Sequence, residues 1–448
     1  MRFLLVLAIV ARAWAQTNAD SSPETTGLLE RIRQRAIDDL ASVPNYVCVD
    51  SIDRSLSVPR ERQFRRLDRV HLELAHIEGF DRFAWLGNST FQSRNPTAML
   101  GYGASMGGEF ADNRVLIFKN TPTKISYGGR VTLDGRPALR YEYDDPLGAL
   151  AVTNNNQFGH AAARGAFWVD PETLDLLQID LEGYDIPSKL AVESISDSTL
   201  YWRVLIGQHV VLLPHNSEFR LMHADGTVSR NTSVFSNCRE YAAESNLTFG
   251  SSSTPQLPAP PSVEDSRVEP GLQLQLVLDK TLDADKAAVG DPIRAHILEA
   301  VGAVPRGARV YGLVNRIVDF DDEIPLARTK QPRPTPKHKV WERGHAGEVL
   351  IQIEFSQIEY RRTRAPFLAR LIDLESRPGE RDSEILGFGY LDDDAIVKYD
   401  SPGTASVYVP KENPIFGRAV IMQWVTVSGR GSCESCARVP ESPTGVSR

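Results

Sequence analysis

After Val10 the sequence has no apolar run approaching the roughly 20 residues that a membrane helix requires. It also lacks an excess of positive charge: 50 Lys and Arg against 58 Asp and Glu give a net charge of -8. That balance offers no electrostatic footprint for a general nucleic-acid partner. The motifs that announce chemistry are missing as well, with no HExxH, P-loop, dinucleotide-binding glycine fingerprint or EF-hand loop. The nine histidines do not cluster as metal ligands, so neither a metal nor a cofactor is expected. Cysteine is scarce, at four residues in 448. These absences point away from membrane spanning, nucleic-acid binding and cofactor chemistry.

What is present begins with an address. Arg2, the apolar run Phe3 to Val10 and Ala13-Trp14-Ala15 read as a cleaved export signal over residues 1–15. Gln16 stands where a lipid-modified cysteine would be needed. The mature protein is therefore expected in the periplasm or outside the cell, free or peripherally attached to the envelope. In that oxidising setting an even cysteine count favours disulfides. Cys48 lies in the strand-like Tyr46 to Val49 and Cys238 closes Val234 to Cys238. Of three connectivities, the favoured one joins Cys48 to Cys238 and staples the first and last strands of one domain. Cys433 and Cys436 form a C-x-x-C in a Gly- and Ser-rich tail, where a local disulfide or two free thiols fit better than zinc, which needs two further ligands.

Composition divides the chain. Residues 16–24 are a polar leader, and residues 251–270 are a Ser- and Pro-rich linker that cannot pack a core. The expected domains are 25–250 and 271–428, followed by a flexible tail at 429–448. In the first, Leu28, Leu29, Ile32, Ala36, Ile37 and Leu40 recur at helical spacing, with Arg31, Arg33, Arg35 and Asp38 on the other face and Pro44 as the stop. Alternating strands follow, among them Val70 to Leu74, Ala138 to Tyr143, Gly165 to Val169, Leu176 to Leu181 and Ser217 to Met222. Gly128-Gly129 and Asp134-Gly135 read as turns. One helix before many meandering strands implies a curved antiparallel sheet, a half-barrel folded around something. The second domain alternates from Leu272 to Leu278 and continues in strands without an amphipathic helix, as a small β-barrel or sandwich does. Residues 319–343, acidic and then basic and Pro-rich, break this pattern as a solvated loop or a partner-binding arm.

Gly103-Ala104-Ser105-Met106-Gly107 matches the G-x-S-x-G elbow of serine hydrolases, with Ser105 as nucleophile. That chemistry needs a strand before the serine and α/β alternation around it, whereas Asn95 to Leu100 is a poor central strand. A Gly-rich loop entering a short helix at Gly108 to Ile117 accounts for the same residues. His71 and His76, five apart on a strand, fall on opposite faces. His209 and His215 flank Val210 to Pro214 and read as turn residues. Asp144-Asp145 before Pro146 also reads as a turn rather than an acid/base pair.

The order of the helix, Pro44 to Cys48, Asp68 to Leu74, Phe167-Trp168-Val169-Asp170-Pro171-Glu172-Thr173-Leu174 and Phe235 to Arg239 resembles uncharacterised exported proteins of acidobacterial type. Their layout is similar to the periplasmic lipoprotein-carrier and sigma-regulator half-barrels. That resemblance covers roughly residues 25 to 250 and implies a curved sheet with a helix against its concave face, holding an acyl chain or a peptide. In the second half, Val289 to Ala295 followed by Val304 to Gly312 resembles a barrel domain of conjugation and secretion-channel scaffold proteins. Together these readings lead to a non-catalytic envelope protein that binds a lipid, acyl group or peptide in an apolar concavity. Its second domain would contact cell-envelope proteins. A secreted serine hydrolase using Ser105 is the alternative, and a purely structural envelope protein a second.

Overall fold

The computed structural model describes residues 23–428, apart from 242–267, 320–346, 377–386, 389–401 and the short stretches 60–62, 88–90, 92, 94–95, 101–103, 105–111, 120–122, 155–156 and 362. The chain opens with helix α1 (Pro23–Ser42), and β1 (Tyr46–Ser57), β2 (Arg65–Ile77) and β3 (Phe80–Trp85) follow. Two short helices, α2 (Pro96–Leu100) and α3 (Asp112–Phe118), interrupt the strands. A meander then runs through β4 (Lys124–Leu133), β5 (Arg136–Asn154), β6 (Gln157–Val169), β7 (Leu176–Tyr184), β8 (Val192–Ile206), β9 (His209–His223) and β10 (Val228–Glu240). These ten strands form one curved antiparallel half-barrel in the order β3-β2-β1-β10-β9-β8-β7-β6-β5-β4. Each strand pairs with its sequence neighbour except where β10 returns to β1, and there Cys48 and Cys238 are joined in a disulfide.

Local sequence explains the turns. Asp134-Gly135 is a two-residue hairpin loop with both φ positive, the left-handed pair that matches strand twist. Gly128-Gly129, read above as a second turn, instead lies inside β4 as a bulge opposite Arg140, because Gly129 adopts the positive φ the extra residue needs. Asp170 ends β6 by accepting the backbone N–H groups of Glu172 and Thr173 at 2.8 and 3.0 Å, a side-chain turn that starts the return into β7. The inward curve has its own device at Gly165. A Cβ there would stand 1.9 Å from the Asp180 carbonyl, and Tyr143 lies over the glycine and donates its hydroxyl to that oxygen at 3.0 Å.

Two further readings are corrected. His209 and His215 belong to β9, not to turns: Pro214 is accommodated at a bulge opposite Leu200 and Tyr201, so the strand carries on through it. His215 stacks on Trp202 with ring centroids 3.7 Å apart. Asp144 and Asp145 likewise sit within β5, on opposite faces. Asp144 accepts the Tyr184 hydroxyl at 2.7 Å, while Asp145 is buried, so the two do not form a pair.

The second half holds β11 (Gln273–Leu278), β12 (Leu282–Asp283), β13 (Pro292–Ile297), β14 (Arg309–Asp319), β15 (Glu348–Tyr360), β16 (Thr363–Pro366), β17 (Ala369–Ser376), β18 (Gly387–Phe388), β19 (Thr404–Pro410), β20 (Ile415–Phe416) and β21 (Val420–Thr426). Nine of these build one sheet, ordered β17-β21-β11-β13-β14-β15-β19-β18 with β16 beside β15, and β12 pairs with β20. The sheet curls on itself where Gly403 links β15 and β17, donating to the Ala369 carbonyl at 2.7 Å and accepting from Phe355 at 2.9 Å. Its interior is solid: Phe355, Phe367 and Trp424 meet edge to face at 5.4 to 5.9 Å, inside a shell of buried Leu, Ile and Val.

Candidate functional site

Directly paired residues of an antiparallel sheet share a face, so the concave surface of the half-barrel can be followed rung by rung. One rung runs Ile52, Ser233, Ser217, Thr199, Ile179, and the next runs Arg54, Asn231, Phe219, Asp197, Leu181. Both rungs are buried, and their middle is polar. Three separate apolar clusters share them: one through Ile179 with Tyr141, Phe167 and Leu212, one through Ile52 with Tyr46, Leu72 and Phe235, and one through Phe219 with Ile195 and Leu221.

The polar belt is only partly satisfied. Arg54 clasps Asp68 on the neighbouring strand with two charge-assisted hydrogen bonds, the first at 2.7 Å, and neither side chain reaches solvent. Asp197 accepts the Thr199 hydroxyl at 2.7 Å and faces Asn113 of α3 at 3.5 Å, but its Oδ1 has no partner among the described residues. Asp50, beside Ser233, also leaves Oδ1 unpartnered. Burial pushes both carboxyls up to about 7, against the opposing pull of the Ser233 and Thr199 hydrogen bonds; nearby Asp180 adds to the rise at Asp197. Asn231 donates to the Ala104 carbonyl at 2.7 Å and so holds the covering segment on the belt.

Helix α1 covers the first apolar cluster. Ile32 and Ala36 are buried on it, and Asp39 continues the same stripe one turn on, 7 % exposed. A carboxylate there needs a partner, and Arg203 of β8 supplies it, donating from Nη1 and Nη2 to Asp39 at 2.8 and 2.9 Å. The same guanidinium donates from Nε to Asp175 at 2.9 Å, and Arg35 of α1 reaches Asp175 at 3.2 Å. Burial alone would push the Asp175 carboxyl up, but its bonds to Arg203 and Arg35 outweigh this and hold it below the usual carboxylate range. The helix is thus latched to β7 and β8 by four charged side chains. Beneath it remains a cavity of about 10 Å³ lined by Ile32, Ala36, Phe118 and Leu212, with Asp39 and Arg114 at its polar end, room for no more than one water.

Of the residues singled out in the sequence, Cys48 and Cys238 meet at the seam of β1 and β10. Ser105, Cys433 and Cys436 lie outside the described residues, as do the signal, leader and tail, the linker as far as residue 267 and the charged loop from residue 320 as far as 343. His76 and Asp81 form a 2.7 Å pair, but His76 stands opposite Tyr46 while Asn231, which holds Ala104, stands opposite Arg54. Eight residues along β1 separate the two, roughly 26 Å at about 3.3 Å per residue. Among the described residues no three His, Cys, Asp or Glu side chains come together as a metal site would need, and no helix is long and apolar enough to cross a membrane. The polar belt and the Arg203 latch went unread. The one signal for the latch is Asp39, an acid seven residues after Ile32 on the apolar stripe.

No protein-family model matches this chain, and no curated protein matches it. Among solved structures, it is similar to a DUF1329 family protein from Desulfovibrio piger, at 12% identity and a TM-score of 0.25 over 47% of this chain and 92% of that one. A second likeness is to a putative outer membrane lipoprotein-sorting protein domain from Vibrio parahaemolyticus, at 14% identity and a TM-score of 0.25, over 47% of this chain and 90% of that one.

Proposed function

We propose that this chain is an exported, non-catalytic binding protein whose concave sheet face takes up a lipid, acyl chain or apolar peptide by exchanging it for helix α1. The observation that supports this most directly is how the apolar face is closed. A single amphipathic helix covers it and is fastened at its C-terminal end by the Asp39–Arg203–Asp175–Arg35 cluster. Apolar burial has no direction, so a guest of similar width can replace Ile32 and Ala36 on Phe167 and Leu212 with little change in buried area. The charge cluster is directional and sets how readily the exchange happens. The Cys48–Cys238 bridge keeps the two outer strands in register while the helix moves and fits an oxidising compartment.

Asp39→Asn weakens the latch and leaves Arg203 paired with Asp175. The variant is expected to bind a fluorescent fatty acid at least threefold more tightly than the parent, with an unchanged far-ultraviolet spectrum. Native mass spectrometry of the full chain should show co-purified apolar adducts. The reading is overturned if neither protein takes up acyl probe or apolar peptide, or if a fluorophosphonate labels Ser105 and Ser105→Ala abolishes an esterase activity.

A further inference from the structure

The edge of β2 is covered by two different parts of the chain. Strand β3 pairs with it only from Leu72 to Ile77, which leaves the stretch from Arg65 to His71 without a neighbour from its own sheet on that side. Val289 of the second half fills this place. It lies parallel to Val70, donates its N–H to the Arg69 carbonyl at 2.8 Å and accepts the His71 N–H at 2.9 Å. Its side chain, 5 % exposed, enters the apolar cluster of Val70, Leu72 and Phe83. Gly290 then lies flat on Trp85 and the His71 carbonyl. With φ +93° and a hypothetical Cβ 2.4 Å from that oxygen and 2.6 Å from the indole, only glycine fits. Asp291 follows, with Oδ1 2.7 Å from the His71 Nδ1.

We propose that this edge of β2 is a strand-acceptor site, filled in cis by the second half, whose ligand class is an extended peptide bearing a small aliphatic side chain, then glycine, then a carboxylate. Each preference has a counterpart on the receptor: an apolar pocket, a flat indole and an imidazole. Backbone hydrogen bonds supply the rest, as in other strand-addition modes. The cis strand is small. It makes two backbone bonds to β2, and its other two, between Gly290 and Val314 and between Val314 and Asp291, anchor it to β14. It is held in place largely by its tether, since residues 242–267 keep the second half at high effective concentration. A peptide in trans therefore competes poorly until the cis strand is weakened.

The test uses the full chain and a fluorescent peptide with the sequence of residues 287–293. In the parent the peptide should bind weakly. In Gly290→Ala and in Asp291→Ala, hydrogen exchange at the His71 amide should accelerate at least tenfold and peptide affinity should rise at least tenfold. Adding His71→Ala, or replacing the peptide's Asp by Asn, should reverse the gain. If neither variant accelerates exchange at His71, the strand is a fixed part of the fold and the proposal falls. If exchange accelerates without a gain in peptide binding, the edge is no acceptor and the proposal falls equally.

Discussion

Asp50 and Asp197 carry a pH dependence that the fold imposes on itself. Burial raises each from 3.8 to about 7. Between those values the folded state keeps a proton that the unfolded chain gives up, so stability falls as pH rises and the contribution present below pH 3.8 is gone above about 7. Asp50→Asn removes one such site. Relative to the parent it should gain up to about 4 kcal/mol at pH 8 and little at pH 4, from roughly three pK units at about 1.4 kcal/mol each. Urea unfolding at the two pH values checks this, and equal gains at both would remove Asp50 as the cause. The Arg54–Asp68 pair makes the contrasting case. Arg54→Met alone strands a buried carboxylate and should cost about 3–5 kcal/mol, whereas Arg54→Met with Asp68→Leu should recover most of it. A double-mutant cycle measures the difference. Neither site was readable from the sequence, because Asp50 and Arg54 alternate with Cys48 and Ile52 and so look like polar residues on an outward stripe. They point inward because both faces of β1 are largely covered.

At the scale of elements, α1 was the most legible piece, since its apolar spacing needs no tertiary information. The predicted span 28–40 lies inside the observed Pro23–Ser42. Strand identity was legible wherever alternation was clean and failed where glycine or proline sits inside a strand. Gly128-Gly129 and Pro214 are both absorbed as bulges, and a bulge depends on the opposing strand, which lies elsewhere in the sequence. The face that α1 covers could be inferred, but not the means by which it is held, because Arg203 is distant in sequence from Asp39. The packing claim is testable by Ile32→Ala, which should cost about 2–5 kcal/mol, the range for large-to-small changes in a core. Asp39→Asn should cost less than Ile32→Ala while loosening the helix more specifically. The checks are chemical denaturation for the first and amide exchange along Ile32 to Leu40 for the second.

Across the whole molecule, the apolar interior divides unevenly between the two halves. The barrel has one continuous core around Phe355, Phe367 and Trp424, whereas the half-barrel has three clusters interrupted by a polar belt. Val289 is the second-half residue that enters a first-half cluster, and it does so through a short strand with two backbone bonds to β2. Cooperativity requires shared burial, and a bridge this narrow shares little of it. The two halves are therefore expected to melt as separable units, the interrupted one first. Phe355→Ala, at about 3–5 kcal/mol for a buried aromatic, should lower the barrel transition and leave the other in place. Reduction of the Cys48–Cys238 bridge should do the reverse. It releases a loop spanning 190 residues, which the chain-entropy model values at about 5 kcal/mol, and it touches only the half-barrel. Differential scanning calorimetry of the parent, the Phe355→Ala variant and the reduced protein separates the cases. If one transition moved as a unit under both changes, the Val289 strand would be coupling the halves tightly, and a detachable strand at the β2 edge would be untenable along with the independent cores.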